Sequence, residues 1–202
     1  MAFKQTVLQE LLTLMRQEGL SHLNEQEIIS RIDISSATFN EFFSGMEDMV
    51  TQVVAYDLEI RKQEHERLFA NEPSPLRRLL LMVQVGLEGL RAIRPTALME
   101  TQELYPKAWA LYWNHSNDYT AHVLYKLLNE GILQKELRRD LNIQLVTKIM
   151  LEQLTLVVNP AVFPPERFNV AEVFRSVFLY YIRGICTEEG TKIAEEYFAA
   201  LR

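Results

Sequence analysis

The sequence predicts an all-α protein, and three observations support this. Apolar residues recur at spacings of three and four along nearly the whole chain, which places them on one face of a helix. Only seven Gly and seven Pro interrupt the 202 residues, so the runs between them are long enough for helices. No stretch shows the strict alternation of apolar and polar residues that is typical of a half-buried strand. We therefore expect three short helices, a long connecting helix and a larger helical bundle.

Three short helices are predicted at the N-terminal end. The first carries an apolar stripe and stops at Gly19, a residue type that commonly ends helices. Asn24 and Glu27 have the spacing of a capping box and open the second helix. Ser35 can cap a third helix, which turns its phenylalanines inward.

The remainder of the chain reads as longer helices separated by proline-rich breaks. Ser44 and Glu47 form a second capping-box pattern, which predicts the start of a helix that runs toward Phe69. Ser74-Pro75 is a good start for the next helix, and the prolines of 159–169 require an irregular loop. The predicted helical runs after the connector are 75–93, 95–104, 106–130, 142–158, 170–185 and 188–201. Pro95 starts the second of these runs, and Gly131 stops the third.

Composition and charge exclude several classes of protein. The net charge of −6 argues against a protein that coats nucleic acid non-specifically. The single Cys186 excludes an internal disulfide and a cysteine-based zinc site. No export signal is apparent, and the longest apolar run is too short to cross a bilayer. We expect a cytoplasmic protein with no membrane partner.

The order of motifs in the first fifty-five residues is more specific than composition. Gly19 is followed by an apolar pair at 28–29 and by the sequence IDISSATFNEFFSGMEDM, in which a turn leads into a short helix and then a capped helix start. This order resembles the tetracycline-repressor (TetR) family of bacterial transcriptional regulators, without a gap over about residues 5–55. The resemblance implies a helix-turn-helix domain at 1–50, a connector helix at about 46–70, and a ligand-binding and dimerisation domain at 71–202.

The resemblance also implies partners and site residues. Family members are homodimers that bind operator DNA and respond to a small-molecule effector held in the C-terminal bundle. The implied reading helix is about 36–42, and binding of the effector would change the separation of the two reading helices. The DNA-binding residues carried over by position are Ser35, Ser36, Ala37, Thr38, Asn40 and Gly45.

Several positions depart from the family pattern where DNA contact is expected. Asp33 stands where the family usually has Gly, Asn40 where it has Tyr, and Met46 where it has a nearly universal Lys. Among residues 1–60 there are three basic and ten acidic side chains, a formal charge of −7. Because phosphate contacts supply most of the affinity of such domains, an alternative remains open. The protein could keep the fold and ligand sensing but lack sequence-specific DNA binding.

The segment 103–125 is rich in aromatic residues at helical spacing. Such a stripe commonly fills a bundle core, but it also suits the wall of a ligand pocket. The predicted ligand-binding residues are Tyr105, Trp109, Tyr112, Trp113 and Asn117.

Two late helices carry apolar stripes, and the helix at 170–185 is apolar almost all round. A terminal helix with two apolar faces needs two partners, which a two-fold four-helix interface provides. The predicted interface residues are Val146, Met150, Leu154, Phe174, Phe178 and Tyr181.

The sequence gives little support to a catalytic function. A di-iron carboxylate bundle needs Glu-x-x-His pairs, and none of the four histidines has Glu three residues before it. Phosphate-binding and hydrolase motifs are missing from the sequence. We expect no enzyme activity, no cofactor and no bound metal.

Overall fold

The computed structural model describes residues 2–93 and 97–200, and these residues form helices without any strand. An isolated antiparallel bridge pairs the backbones of Leu137 and Cys186. None of the helices described is long and apolar enough to span a membrane. The helices are α1 Ala2–Glu18, α2 Glu25–Arg31, α3 Ser36–Phe42, α4 Met46–Phe69, α5 Pro75–Arg91, α6 Ala97–Leu104, α7 Pro106–His115, a π-helix Ser116–Thr120, α8 Ala121–Leu133, α9 Ile143–Val157, α10 Val170–Ile185 and α11 Glu188–Ala200.

Several helix ends are determined by local signals in the sequence. Gly19 follows α1 with a φ of 77°, the left-handed conformation that Gly adopts at low cost. Asn24 and Glu27 make the reciprocal hydrogen bonds of a capping box at the start of α2. The Ser74 hydroxyl accepts from the Arg77 amide at 3.1 Å, directly before α5. These predicted helix boundaries are confirmed.

The start of α4 differs from the predicted capping box. The helix begins at Met46 rather than directly behind Ser44. The Ser44 amide donates to the Asp48 carboxylate at 2.9 Å, so Asp48 takes the place predicted for Glu47. Glu47 instead pairs with Lys107 at 3.0 Å. Two acidic residues in one helical turn made either partner possible; in the structure Asp48 accepts from Ser44, and Glu47 pairs with Lys107.

The predicted long helix at 106–130 is interrupted. A π-helix at Ser116–Thr120 separates α7 from α8, and α8 continues to Leu133, past the predicted stop at Gly131. A π-helix widens one turn and shifts the faces of the residues that follow it. Apolar periodicity does not reveal such a turn. Pro95, the predicted start of the next helix, lies outside the described residues, whereas the loop at 159–169 is non-helical as predicted.

The chain divides into two compact units. Unit 1 comprises residues 1–62 and 92–115, and unit 2 comprises 63–91 and 116–202. The core of unit 1 is built on Leu11, Phe39, Phe43 and Val53, which are fully buried or nearly so. The core of unit 2 is formed by α5, α8, α9, α10 and α11. The functional division predicted at 1–50 and 71–202 stays a prediction.

Gly190 allows a close approach inside unit 2, and its replacement tests that packing. A Cβ at this position would lie 2.0 Å from the Glu136 carbonyl oxygen, so backbone would have to move. We expect Gly190→Ala to lower the free energy of unfolding by about 3 kcal/mol, measured by urea titration. Gly184→Ala is the matched control, because nothing lies within 4 Å of its Cβ. We expect the control to gain about 0.5 kcal/mol from helix propensity. Equal stabilities for the two variants would contradict this packing.

Candidate nucleic-acid interface

The turn between α2 and α3 has the geometry that a helix-turn-helix requires. Asp33 adopts a φ of 50°, in the left-handed region where Asp is tolerated better than most residues with a side chain. The Ile34 amide donates back to the Ile29 carbonyl at 3.3 Å, which closes the turn. The departure from Gly at this position is therefore compatible with the turn.

Helix α3 presents a compact exposed face. The Ser35 side chain accepts from the Thr38 amide at 3.0 Å, and the two hydroxyls lie 2.8 Å apart. Phe39 is fully buried and anchors the inner side of the helix. The outer side consists of four exposed residues, Ser36, Ala37, Asn40 and Glu41. Three predicted DNA-binding residues thus share one exposed face, whereas Ser35 and Thr38 cap the helix.

Gly45, the sixth predicted DNA-binding residue, lies at the start of α4. It has a φ of 140°. The first turn of α4 holds two carboxylates, Glu47 and Asp48. Negative side chains at a helix N-terminus are attracted to the same partial positive charge that would attract a phosphate. The local charge therefore opposes the expected phosphate contact at Gly45.

The three basic side chains of the first sixty residues are all engaged within unit 1. Arg31 forms a surface ion pair with Glu18. Arg16 binds the buried carboxylate of Asp57 at 2.5 Å. The Lys4 ammonium donates to the carbonyl that ends α3, at 3.3 Å. Direct contact with DNA phosphates would require these side chains to exchange partners.

Asp57 is the centre of a buried polar cluster that sequence analysis missed. Its side chain is 1% exposed and binds Arg16 of α1 and, at 3.1 Å, Arg61 one turn further along α4. The pKa of the Tyr112 phenol is raised to about 12, mainly by burial and in addition by the nearby charge of Asp57. The spacing of Asp57 and Arg61 was visible in the sequence, but a partner 41 residues away was not.

Helices α6 and α7 pack within unit 1. The Glu100 carboxylate of α6 accepts from the Leu20 and Ser21 amides, at 2.8 and 3.1 Å, in the turn that follows α1. Ala108 of α7 is fully buried in the same core as the helix-turn-helix. The segment 97–115 is thus part of the compact body that carries the candidate reading helix.

This packing changes the meaning of the aromatic stripe. Tyr105 and Tyr112, two of the predicted ligand-binding residues, pack against the core of unit 1. Trp109 is partly buried and contacts the Tyr112 ring, with centroids 6.3 Å apart. Trp113 is 49% exposed, and Asn117 is an exposed residue of the π-helix. Packing in the unit 1 core accounts for two of the five residues, and ligand contact stays a prediction for the set.

The structure buries most of the predicted interface residues within one chain, and their role at a subunit interface stays a prediction. Val146, Met150, Phe174 and Phe178 are buried in the core of a single chain, while Leu154 and Tyr181 are partly buried. They face inward because each helix directs its most continuous apolar stripe at its own bundle. The apolar residues that remain exposed on the same two helices are Leu145, Ile149, Leu156 and Tyr180.

Comparison with solved structures identifies the fold. A TetR transcription regulator from Haloarcula marismortui is 17% identical, with a TM-score of 0.73 over 93% of this chain and 100% of that one. A TetR-family regulator from Agrobacterium tumefaciens is 17% identical, with a TM-score of 0.71 and coverage of 92% and 99%. The ketosteroid transcriptional regulator KstR2 of Mycobacterium tuberculosis is 18% identical, with a TM-score of 0.62 and coverage of 92% and 96%.

At the level of sequence, no protein-family model and no curated protein matches the chain. The structural neighbours nevertheless agree over almost their full lengths. The chain has the all-α fold of TetR-family transcriptional regulators, with a helix-turn-helix at its N-terminal end, and the predicted resemblance is confirmed at the level of the fold.

The Asp57 cluster can be tested by removing its charge. We expect Asp57→Asn to lower the free energy of unfolding by about 3 kcal/mol, because two guanidinium groups would lose their shared carboxylate in a buried site. Thermal unfolding followed by circular dichroism measures the change. Asp140→Asn is the matched control, since its pair with Arg138 is exposed, and its melting temperature should stay close to that of the unaltered protein. An unchanged melting temperature for Asp57→Asn would show that the cluster does not stabilise unit 1.

Proposed function

We propose that this protein is a ligand-responsive transcriptional regulator that binds operator DNA as a homodimer. The observation that carries the proposal is the exposed face of α3, held as the second helix of a helix-turn-helix in a fold shared with known regulators. In such domains the second helix enters the major groove and its exposed side chains meet the base edges. Ser36, Ala37, Asn40 and Glu41 occupy that position here.

The chemistry of this face suits base reading better than phosphate binding. An Asn side chain can pair with both major-groove groups of adenine, and a carboxylate can accept from the amino group of cytosine. We therefore assign Asn40 to an adenine and Glu41 to a cytosine in each half-site. Ser36 can bond to either kind of edge, and Ala37 can contact a thymine methyl group.

The acidic charge sets the conditions under which binding occurs. Each phosphate neutralised by a basic side chain contributes about 0.9 to the slope of log affinity against log salt concentration. The N-terminal sixty residues hold three basic side chains, all engaged internally. We propose that selectivity comes from the exposed face of α3 and that the salt slope is shallow.

A homodimer is required for two reading helices to meet neighbouring grooves. Leu145, Ile149 and Leu156 follow one another at spacings of four and seven along α9, so they share one exposed face. Tyr180 is 67% exposed on α10, which packs beside α9 in unit 2. We propose that these residues, rather than the buried stripes of the same helices, form the subunit interface.

Ligand response is the remaining part of the proposal. KstR2 is described as a ketosteroid regulator, which supports a small organic effector for this fold. We propose that an effector bound in the C-terminal region changes the spacing of the reading helices through α4. Such coupling is reciprocal, so operator DNA would change the affinity for the effector by the same factor.

The charge distribution favours one alternative function. Ten acidic side chains in the first sixty residues would repel a polyanion, so the protein could sense a ligand without reading DNA. Binding to random DNA cannot separate the two functions, whereas sequence selection can.

Selection from a randomised duplex library at about 50 mM salt tests DNA reading. We expect enrichment of an inverted repeat whose half-sites lie about one helical turn, roughly 34 Å, apart. Asn40→Ala should lose the preference for adenine at one position of each half-site, at a cost of about 1–3 kcal/mol against the selected site. Asn129→Ala, an exposed amide on α8, serves as the control and should keep the preference. A library that shows no enrichment would favour the alternative without DNA binding.

Light scattering tests the interface. The unaltered protein at about 10 µM should have twice the chain mass of 23.6 kDa, because the exposed stripe of α9 is apolar. Ile149→Glu should give a monomer, since a carboxylate would be buried in an apolar contact. Leu133→Glu is the control, because Leu133 is 73% exposed and lies on α8 rather than on α9 or α10. A monomeric unaltered protein would exclude the proposed interface, and loss of the dimer in both variants would place the interface elsewhere.

A further inference from the structure

The carbonyl group that ends α3 is held by two side chains from two other helices. The last carbonyls of a helix have no partner within the helix and need one elsewhere. The Phe42 carbonyl accepts from the Lys4 ammonium of α1 at 3.3 Å and from the Gln52 side-chain amide of α4 at 3.1 Å. The C-terminal end of the candidate reading helix is therefore tied to both of its neighbours.

Gln52 is itself held in place by a second acceptor. Its amide nitrogen has two hydrogens, and it donates to the Asp48 carboxylate at 2.9 Å as well as to Phe42. The same carboxylate oxygen accepts from the Ser44 amide at 2.9 Å. This backbone hydrogen bond, together with the one from Gln52, lowers the pKa of Asp48. Asp48 thus stays charged and fixes the orientation of the Gln52 side chain.

The position of Lys4 suits this role. Its ammonium group lies 5.6 Å from the ring centroids of both Phe42 and Phe43. A positive charge is favourable over aromatic rings and at a helix C-terminus, where the carbonyl groups carry partial negative charge. Lys4 is only partly exposed. These contacts direct its charge at α3.

Helix α3 is too short to keep its direction without contacts to its neighbours. It contains seven residues, about two turns, and a helix of that length is not stable alone. Ser35 caps its N-terminal end and Phe39 anchors its middle. At the other end Phe43 is buried in the core, and the two donors at Phe42 add polar constraints one turn or less from Asn40 and Glu41.

The geometry points to Lys4 and Gln52 as positioning residues that fix the C-terminal end of α3 and so direct Asn40 and Glu41 toward the bases. This inference rests on the proposed DNA-reading function. Lys4 supports selectivity through α3 and does not neutralise a DNA phosphate. A lysine beside a reading helix would otherwise be expected to neutralise a phosphate.

The experiment compares Gln52→Leu and Lys4→Met with Lys4→Arg, which keeps a donor, and with Gln5→Leu, an exposed neighbour on α1. Hydrogen exchange of the amides in 39–44 reports directly on the end of α3. Fluorescence anisotropy with the selected duplex and with random duplex, at several salt concentrations, gives the selectivity ratio and the salt slope.

We expect faster exchange in 39–44 for Gln52→Leu and Lys4→Met. Their selectivity should fall by roughly tenfold, the value of a modest base contact, with an unchanged salt slope. Lys4→Arg and Gln5→Leu should match the unaltered protein. A general loss of stability would instead speed exchange throughout unit 1. It would not lower selectivity while leaving the salt slope unchanged.

Two results would overturn the inference. Unchanged exchange in 39–44 would show that the two donors do not hold α3. A salt slope that is lower in Lys4→Met by about 0.9 per subunit would show that Lys4 neutralises a phosphate. If the unaltered protein selects no DNA sequence, the proposed function fails, and exchange alone then decides whether Lys4 and Gln52 hold α3.

Discussion

The buried carboxylate of Asp57 is the charged contact that joins the two longest helices of the N-terminal unit. It lies where α1 and α4 pack together, and it binds one arginine from each helix. A charge that is 1% exposed would be strongly unfavourable without such partners. The pairing fixes α1 against α4, and the core built on Phe39 and Phe43 forms between them. The position of α3 follows from that packing.

The same pairing shapes the electrostatics of the candidate interface. Arg16 is held by Asp57, Arg31 pairs with Glu18, and Lys4 binds the end of α3. The basic residues of this region therefore organise the protein itself. Discrimination between DNA sequences would depend on neutral and acidic groups on α3, whose favourable contacts are with base edges. This arrangement would allow the acidic N-terminal unit to carry the proposed reading function.

Helices α6 and α7 show how tertiary packing can reassign a sequence motif. The spacing of their aromatic residues is compatible with a bundle core and with a pocket wall. In the structure, Ala108 lies in the core of the helix-turn-helix, and Tyr105 and Tyr112 pack against that core. The Glu100 carboxylate accepts from two backbone amides in the turn that follows α1. A change in these helices would act on the body that carries α3.

The sequence by itself determined the features that depend on near neighbours. Gly19, the Asn24–Glu27 capping box, Ser74-Pro75 and the proline loop at 159–169 set helix ends, because each acts within a few residues of backbone. Apolar periodicity likewise predicted the helices. Only the tertiary structure decided which faces meet, since the partners of Asp57, Leu20 and Phe42 come from as far as 80 residues away. The π-helix and the inward direction of Met150 and Phe178 depend on how whole helices pack, for which the chain carries no local signal.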